Sequence, residues 1–275
     1  SDSGGAVSGR FSYNHPNLQQ IPSRGQFAPE IRKLFIPEVG EYWLKADYSQ
    51  QEPRLLTHWA CLVGQMGAEE VKEAYQKSDL DFHQQTADMA GVERRLAKTI
   101  GLGVMYGMGY NKMARELDID PQDAKKMLAD FRQRVPFMQG MLEAVMNRAN
   151  SKGIIRTLLG RKCRFDLWEP SSWGVHKALP HNQAKVEYGD AIKRAGTYKA
   201  LNRLIQGSAA DQTKKAMVDV YEQLGVTPLI QVHDELDCSV KGEKEAKEIQ
   251  RVMETCVELE VPSKADIDLG ESWGG

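Results

Sequence analysis

The sequence predicts an α+β fold in which a small sheet serves as the platform for a long helical insertion. Strand-like segments stand near both ends of the chain, at Tyr42-Trp43-Leu44-Lys45-Ala46-Asp47 and at 229–240, while residues 53–151 between them follow helical periodicity almost without interruption. The first ends in a carboxylate, and the second carries carboxylates at its turn. Segregation of strands and helices in this way suits a sheet with a separate helical subdomain.

Taken in order, residues 1–40 are rich in Gly, Pro, Ser and Asn and read as extended, loop-like chain. The strand that follows delivers Asp47. Helices are predicted at 53–63, 68–76, 81–90, 93–108, 110–118, 121–134 and 136–151, with Pro121 and Pro136 suited to first-turn positions. Residues 153–158 and 163–165, joined through Gly160-Arg161, read as a hairpin, and an irregular stretch runs on to about Asn182. Helices at 183–200 and 203–224 then lead to a second strand pair, 229–232 and 236–240, with His233-Asp234-Glu235 at its turn. A charged helix over 243–258 and a short strand at 265–269 complete the pattern, without internal repeats.

A chain of 275 residues, 41% of them hydrophobic, can bury a substantial core as one large domain or two packed ones. No apolar run approaches the roughly 20 residues needed to span a bilayer, and no secretory pattern opens the chain, so a cytoplasmic protein with no membrane partner is expected. Cys61, Cys163, Cys238 and Cys256 are scattered without a CxxC pair, which argues against a zinc site or disulfide framework. The formal net charge of −2 excludes a uniformly basic coat but allows a local basic groove beside an acidic centre. The opening Ser1-Asp2-Ser3-Gly4-Gly5 lacks a Met and reads either as an engineered leader or as part of a longer polypeptide.

Three constellations carry chemistry. Asp47-Tyr48-Ser49-Gln50-Gln51-Glu52-Pro53-Arg54 lies where a strand meets a helix; Asp47 also reads as a helix cap, and Ser49 with Glu52 as a capping box. His233-Asp234-Glu235 occupies a hairpin turn, where acidic residues are common for conformational reasons. Two strand-end carboxylates on neighbouring strands could share hard cations, and two such ions serve an in-line phosphoryl displacement. The third constellation sets Arg94, Lys98, Leu102 and Tyr106 four residues apart along one helix face. Cations, an apolar residue and an aromatic in one stripe suit a nucleoside triphosphate; a solvated basic helix end reads equally from spacing. Gly101, Gly103 and Gly107 weaken a helix by about 1 kcal/mol each relative to Ala, so close approach of a ligand or another helix is expected there.

Together these segments resemble motifs A, B and C of the family A, DNA polymerase I-like enzymes: Asp-Tyr-Ser-Gln-x-Glu-x-Arg, Arg-x-x-x-Lys with its following Tyr-Gly, and Val-His-Asp-Glu. Gly9-Arg10-Phe11-Ser12, Pro16-Asn17-Leu18-Gln19-Gln20-Ile21-Pro22, Asp81-Phe82-His83 and Gln206-Gly207-Ser208-Ala209-Ala210-Asp211 match as well, in family order over nearly the whole chain.

That resemblance implies a palm, a small antiparallel sheet with helices, carrying a helical fingers subdomain. Residues 1–62 and 183–275 would form the palm and 63–182 the fingers; the thumb and exonuclease domain would belong to an upstream part of the parent polypeptide. Asp47 and Asp234 would bind two Mg2+ ions, for which Mn2+ can substitute, with the Tyr48 carbonyl as a further ligand and Glu235 in a secondary role. His83, Arg94 and Lys98 would hold the triphosphate of a dNTP, Gln50 would also contact the nucleotide, Leu102 would lie against its base and sugar with Glu52 at the sugar edge, and Tyr106 would close the pocket on the template side. Primer-template DNA would meet Arg10, Asn17, Gln19, Asn202, Gln206 and His233. As plain structure, Asn17 after Pro16 is a turn residue and His83 a helix cap. Leu102 stands where Phe or Tyr is usual, as in phage-like members, and Gln51 and Pro53 replace aliphatic residues. The implied activity is template-directed DNA synthesis. A single-subunit RNA polymerase relative and a non-catalytic nucleic-acid-binding module are the competing readings; Glu52, in the ribose-excluding position, opposes the first, and the joint presence of Asp47, Asp234, Arg94 and Lys98 opposes the second.

Overall fold

The computed structural model describes residues 6–77, 81–172, 174 and 176–275. A short helix α1 (Ala28–Arg32) precedes strand β1 (Tyr42–Tyr48), and helices α2 (Gln51–Leu62), α3 (Ala68–Lys77), α4 (Phe82–Ala90), α5 (Arg94–Met105), α6 (Tyr110–Leu117), α7 (Pro121–Arg134) and α8 (Pro136–Lys152) follow. Strands β2 (Ile154–Arg156), β3 (Lys162–Arg164), β4 (Leu167–Pro170) and β5 (Leu179–Pro180) lead to α9 (His181–Tyr188) and β6 (Ile192–Arg194). Helix α10 (Ala200–Leu224), strands β7 (Ile230–Val232) and β8 (Glu235–Val240), helix α11 (Glu243–Thr255) and strand β9 (Ala265–Gly270) close the order. The chain forms two compact units, Ser1–Leu55 with Gln206–Gly275, and Leu56–Ile205.

The first unit is built on an antiparallel sheet of order β7-β8-β1-β9. Side chains alternate across a strand, so the strictly alternating β8 sequence Glu-Leu-Asp-Cys-Ser-Val gives the sheet two unlike faces. Leu44, Ala46, Tyr48, Leu236, Cys238 and Val240 form the apolar face, packed on Ala216 and Val220 of α10 and on Ala246, Ile249, Val252 and Met253 of α11. Fully burying one such aliphatic side chain contributes roughly 1.5–3 kcal/mol. The other face carries Asp47, Glu235, Asp237, Asp266 and Asp268, because Asp47 stands opposite both Glu235 and Asp266 in the register and Lys45 opposite both Asp237 and Asp268. Farther along it, Trp43, Ile230 and Trp273 pack with Leu18, Ile21, Phe35 and Val232 in a second apolar cluster.

In the second unit the helices start and stop where their termini predict. Asp81 caps α4 by accepting from the His83 and Gln84 amides, Asp120 caps α7, and Gly91 and Gly153 end α4 and α8 in the left-handed region. The three glycines around α5 are explained by packing. A Cβ on Gly101 would touch Phe131 of α7 and Met138 of α8, and one on Gly103 would press on the Met108 side chain. At Gly107 φ is +68° and a Cβ would lie 2.7 Å from the Tyr198 carbonyl oxygen.

The structure departs from the sequence reading mainly between 165 and 200. The stretch expected to be irregular contains β4 and β5, and the helix expected over 183–200 is broken into α9, β6 and a 3-10 turn at Thr197–Lys199. Gly189 and Gly196, both at positive φ, make the two breaks, and two-to-four-residue strands are too short for alternation to reveal. Helix α2 begins at Gln51, so Pro53 occupies its third position, still within the turn whose amides need no intrahelical acceptor. All four cysteines are free thiols, and among the described residues no helix is long and apolar enough to cross a membrane.

Gly107→Ala is expected to destabilise the chain by about 1–3 kcal/mol, since the new methyl group meets a backbone carbonyl in an unfavourable conformation. Chemical denaturation measures it, and an unshifted midpoint would show that the turn can move aside.

Candidate active site

The acidic end of the β7-β8-β1-β9 sheet brings Asp47, Asp234 and Glu235 together. Asp47 and Glu235 face each other across β1 and β8, and the Tyr48 amide donates to the Asp234 carbonyl at 3.3 Å. The turn itself is tight: His233 adopts φ +58°, and the Gln231 side-chain amide donates to its carbonyl at 2.6 Å. Tyr48 points its phenol into the apolar face, where the hydroxyl donates to the Met253 carbonyl at 2.7 Å.

Crowding of like charges shows in the acidities. Removal from water, then the carboxylates of Asp234, Glu235 and Asp266, push the Asp47 acid up to about 7. Asp234 is also raised, by burial, against the lowering influence of its own amide, Arg10 and His233. The carboxylates outnumber the nearby Arg10 cation and offer only hard oxygen donors, which suits Mg2+ or Mn2+. Among the described residues, no three His, Cys, Asp or Glu side chains are arranged to hold an ion by themselves, so a metal would need backbone or substrate oxygens too.

Beside this cluster the strand passes into helix α2 through Gln50, at φ +54°. A capping box would send the Ser49 amide to the Glu52 carboxylate, but that amide donates to the Lys264 carbonyl at 2.9 Å. Glu52 instead accepts from Arg10 at 2.7 Å. Gln51, unusual by sequence, is buried and donates to Gln212 at 3.2 Å and Thr213 at 3.1 Å, so a polar network fills the place of an aliphatic side chain.

In the second unit, α5 presents the cationic stripe. Ala97, Ile100, Gly101 and Val104 are buried, whereas Arg94, Lys98 and Tyr106 are exposed and Leu102 half-buried. Arg94 grips the Asp81 carboxylate with two nitrogens, each at 2.7 Å. His83 lies close by: burial first, then the charges of Lys98 and Arg94, lower its pKa, and its Nδ1 is buried without a hydrogen-bond partner. The α4 cap is Asp81 and not His83.

The remaining predicted residues are more dispersed. Asn17 caps a 3-10 turn by accepting from the Gln19 amide at 3.1 Å, and Gln19 reaches the Gln231 carbonyl at 3.5 Å. Arg10 and His233 line a small cleft with Phe11 and Lys214, whose ammonium stands 4.4 Å from the Phe11 ring centre. Asn202 and Gln206 lie half-buried along α10. Sequence reasoning missed Asp266, Asp237 and Trp273; only the polar-apolar alternation of β8 and β9 hinted at the first two.

The model of DNA polymerase family A matches residues 2–275. The chain belongs to this family. A DNA-directed DNA polymerase of Pseudomonas phage M6 is 38% identical over 98% of this chain and 44% of its own length. The thermostable DNA polymerase I of Thermus aquaticus is 33% identical over 97% of the chain and 31% of its own length. Among solved structures, the POL domain of Pol1 from M. smegmatis in complex with DNA primer-template and dNTP superposes with a TM-score of 0.79 at 30% identity, covering 98% of this chain and 46% of that one. This family A chain thus spans less than half the length of these relatives.

The raised Asp47 acidity has a measurable consequence. A carboxyl whose pKa rises on folding costs nothing below its unfolded value of 3.8 and progressively destabilises the fold as pH climbs towards about 7. In metal-free buffer Asp47→Asn should therefore raise the melting temperature at pH 8 and leave it nearly unchanged at pH 4. An equal shift at both values would place the effect elsewhere.

Proposed function

We propose that this chain is the palm and fingers of a DNA polymerase and catalyses template-directed transfer of a dNTP nucleotidyl group to a primer 3′-hydroxyl. The observation that carries the reading is the convergence of Asp47 and Asp234 at the acidic end of the sheet in a family A chain. Asp47, the Tyr48 carbonyl and Asp234 would hold two Mg2+ ions, or Mn2+ in their place. When bound, such ions activate the attacking hydroxyl and neutralise charge on the leaving phosphate. Glu235 supports the pair from the neighbouring strand position.

Arg94, Lys98 and His83 bind the triphosphate. Lys98 has no anionic partner among the described residues, so its charge is available to phosphate oxygens, while Asp81 holds the Arg94 guanidinium in a fixed orientation. Neutral His83 can accept or donate one hydrogen bond without adding charge. Gln50, Leu102 and Tyr106 meet the base and sugar, and Glu52, anchored by Arg10, excludes a ribose 2′-hydroxyl; selectivity of that kind comes from a repulsive element. This role for Glu52 favours DNA over RNA synthesis. Arg10, Asn17, Gln19, Asn202, Gln206 and His233 contact primer-template DNA, where minor-groove acceptors nearly common to all base pairs allow pair shape to be tested without reading sequence. A thumb, and an exonuclease domain where one exists, are supplied by the rest of a longer polypeptide acting in a bacterial cell or a phage-infected host.

Primer extension with Mg2+ tests the reading. Asp47→Asn and Asp234→Asn should each abolish nucleotide addition with the fold retained. Lys98→Ala should raise the KM for dNTP by roughly tenfold or more while duplex affinity stays within about twofold. Robust extension by either Asn variant would remove these carboxylates from the chemistry.

A further inference from the structure

Glu235 is set between Asp47 across the sheet, whose like charge repels its own, and Asp237 two residues on, whose carboxyl stands close enough to share a proton with it. A glutamate with three rotatable side-chain bonds would swing away from Asp47 unless it were held. The partner is the indole of Trp273, whose Nε1 donates to Glu235 Oε1 at 3.1 Å. Trp273 is itself fixed on every side: it is 1% exposed, its ring meets Phe35 edge-on at 5.4 Å and Trp43 at 6.2 Å, and the Arg32 guanidinium stacks over it at 4.1 Å. Its backbone is fastened too. The Trp273 amide donates to the Phe35 carbonyl at 2.9 Å, and the next residue lies so close to α1 that a Cβ on Gly274 would stand 2.7 Å from the Pro29 carbonyl oxygen.

A second indole repeats the arrangement one pleat away. Trp43 donates to Asp237 Oδ1 at 2.9 Å, while Asp237 Oδ2, fully buried, has no donor among the described residues. Burial and the Glu235 carboxylate push the Asp237 acid well up, so a proton on that oxygen is a natural occupant. Trp43 and Trp273 thus line one side of the Glu235–Asp237 pair.

We propose that Trp273 is a positioning residue: its indole N–H holds the Glu235 carboxylate beside the Asp47–Asp234 site, with the Trp43–Asp237 bond behind it. The role rests on the polymerase reading above. An indole N–H cannot change charge, and it leaves the carboxylate available where an ammonium would neutralise it.

Single-turnover insertion of a matched dNTP by this chain, at saturating dNTP and duplex, tests the role. Trp273→Phe, which removes the donor, should slow insertion about tenfold, the usual worth of one hydrogen bond to a charged group, with dNTP KM and duplex affinity unchanged. In a Glu235→Ala background the same change should add no further loss, because the group it positions is gone. Should Trp273→Phe fold poorly, a benzothienylalanine placed at position 273 by amber suppression keeps the ring volume and removes only the N–H, and the same slowing is expected. Wild-type rates in the isostere or in well-folded Trp273→Phe, or equal losses with and without Glu235, would overturn the positioning role while leaving the polymerase reading intact. A wild-type chain that extends no primer would overturn both.

Discussion

Carboxylates crowded on one face of a four-stranded sheet are the constraint on which the rest of this structure turns. Directly opposed residues in antiparallel strands have Cβ atoms roughly 5 Å apart, and two unit charges at that distance repel by about 3 kcal/mol at an effective dielectric constant near 20. The register places Asp47 between Glu235 and Asp266, with Asp234 at the adjoining turn. Some of the acidic face is compensated within the chain. Lys45 pairs with Asp268 at 2.6 Å, and Trp43 and Trp273 donate to Asp237 and Glu235. Asp47 is not: among the described residues no side-chain cation pairs with it, and its acid stays near neutrality. On the proposed reading, cations from outside the chain supply the compensation, and the sheet's unfavourable electrostatics and its chemistry would then be one feature.

The apolar face makes that concentration of charge tolerable. Leu236 and Cys238 alternate with Glu235 and Asp237, so each residue placed on the acidic side is matched by a neighbour buried against α10 or α11. Register is fixed by this alternation, since a one-residue slip would drive the carboxylates into the core. The second unit solves a different problem. Its α5 helix exposes Arg94 and Lys98 on one side and packs closely on the other, and Gly101 admits Phe131 and Met138 where a larger residue would hold those helices apart.

Much of this was legible in the sequence because the signals are local. First-turn prolines and nearly continuous 3.6-residue periodicity located the helices from 53 to 151, and the strand-end positions of Asp47 and Asp234 pointed to a shared site. Short strands such as β4, β5 and β6 were not legible, because two to four residues carry no period. Glu52 left two readings open, and only the hydrogen bond from the Ser49 amide to Lys264 removed the capping box; that contact joins residues 215 positions apart and leaves no trace in local pattern. The same holds for Trp273 and Asp266, which reach the carboxylate cluster through register and tertiary packing alone. The glycines of α5 were legible as a close approach, although the partners proved to be protein side chains and a backbone carbonyl.

Manganese offers the most direct view of the central claim, because its anomalous scattering locates ions independently of activity. Crystals of the chain grown with Mn2+, a primer-template duplex and a non-reactive dNTP analogue should show two anomalous peaks about 3.5–4 Å apart, both within direct coordination distance of the Asp47 and Asp234 carboxylates. Peaks confined to Asp266 and Asp268, or none at Asp47 and Asp234 with the nucleotide bound, would contradict the account.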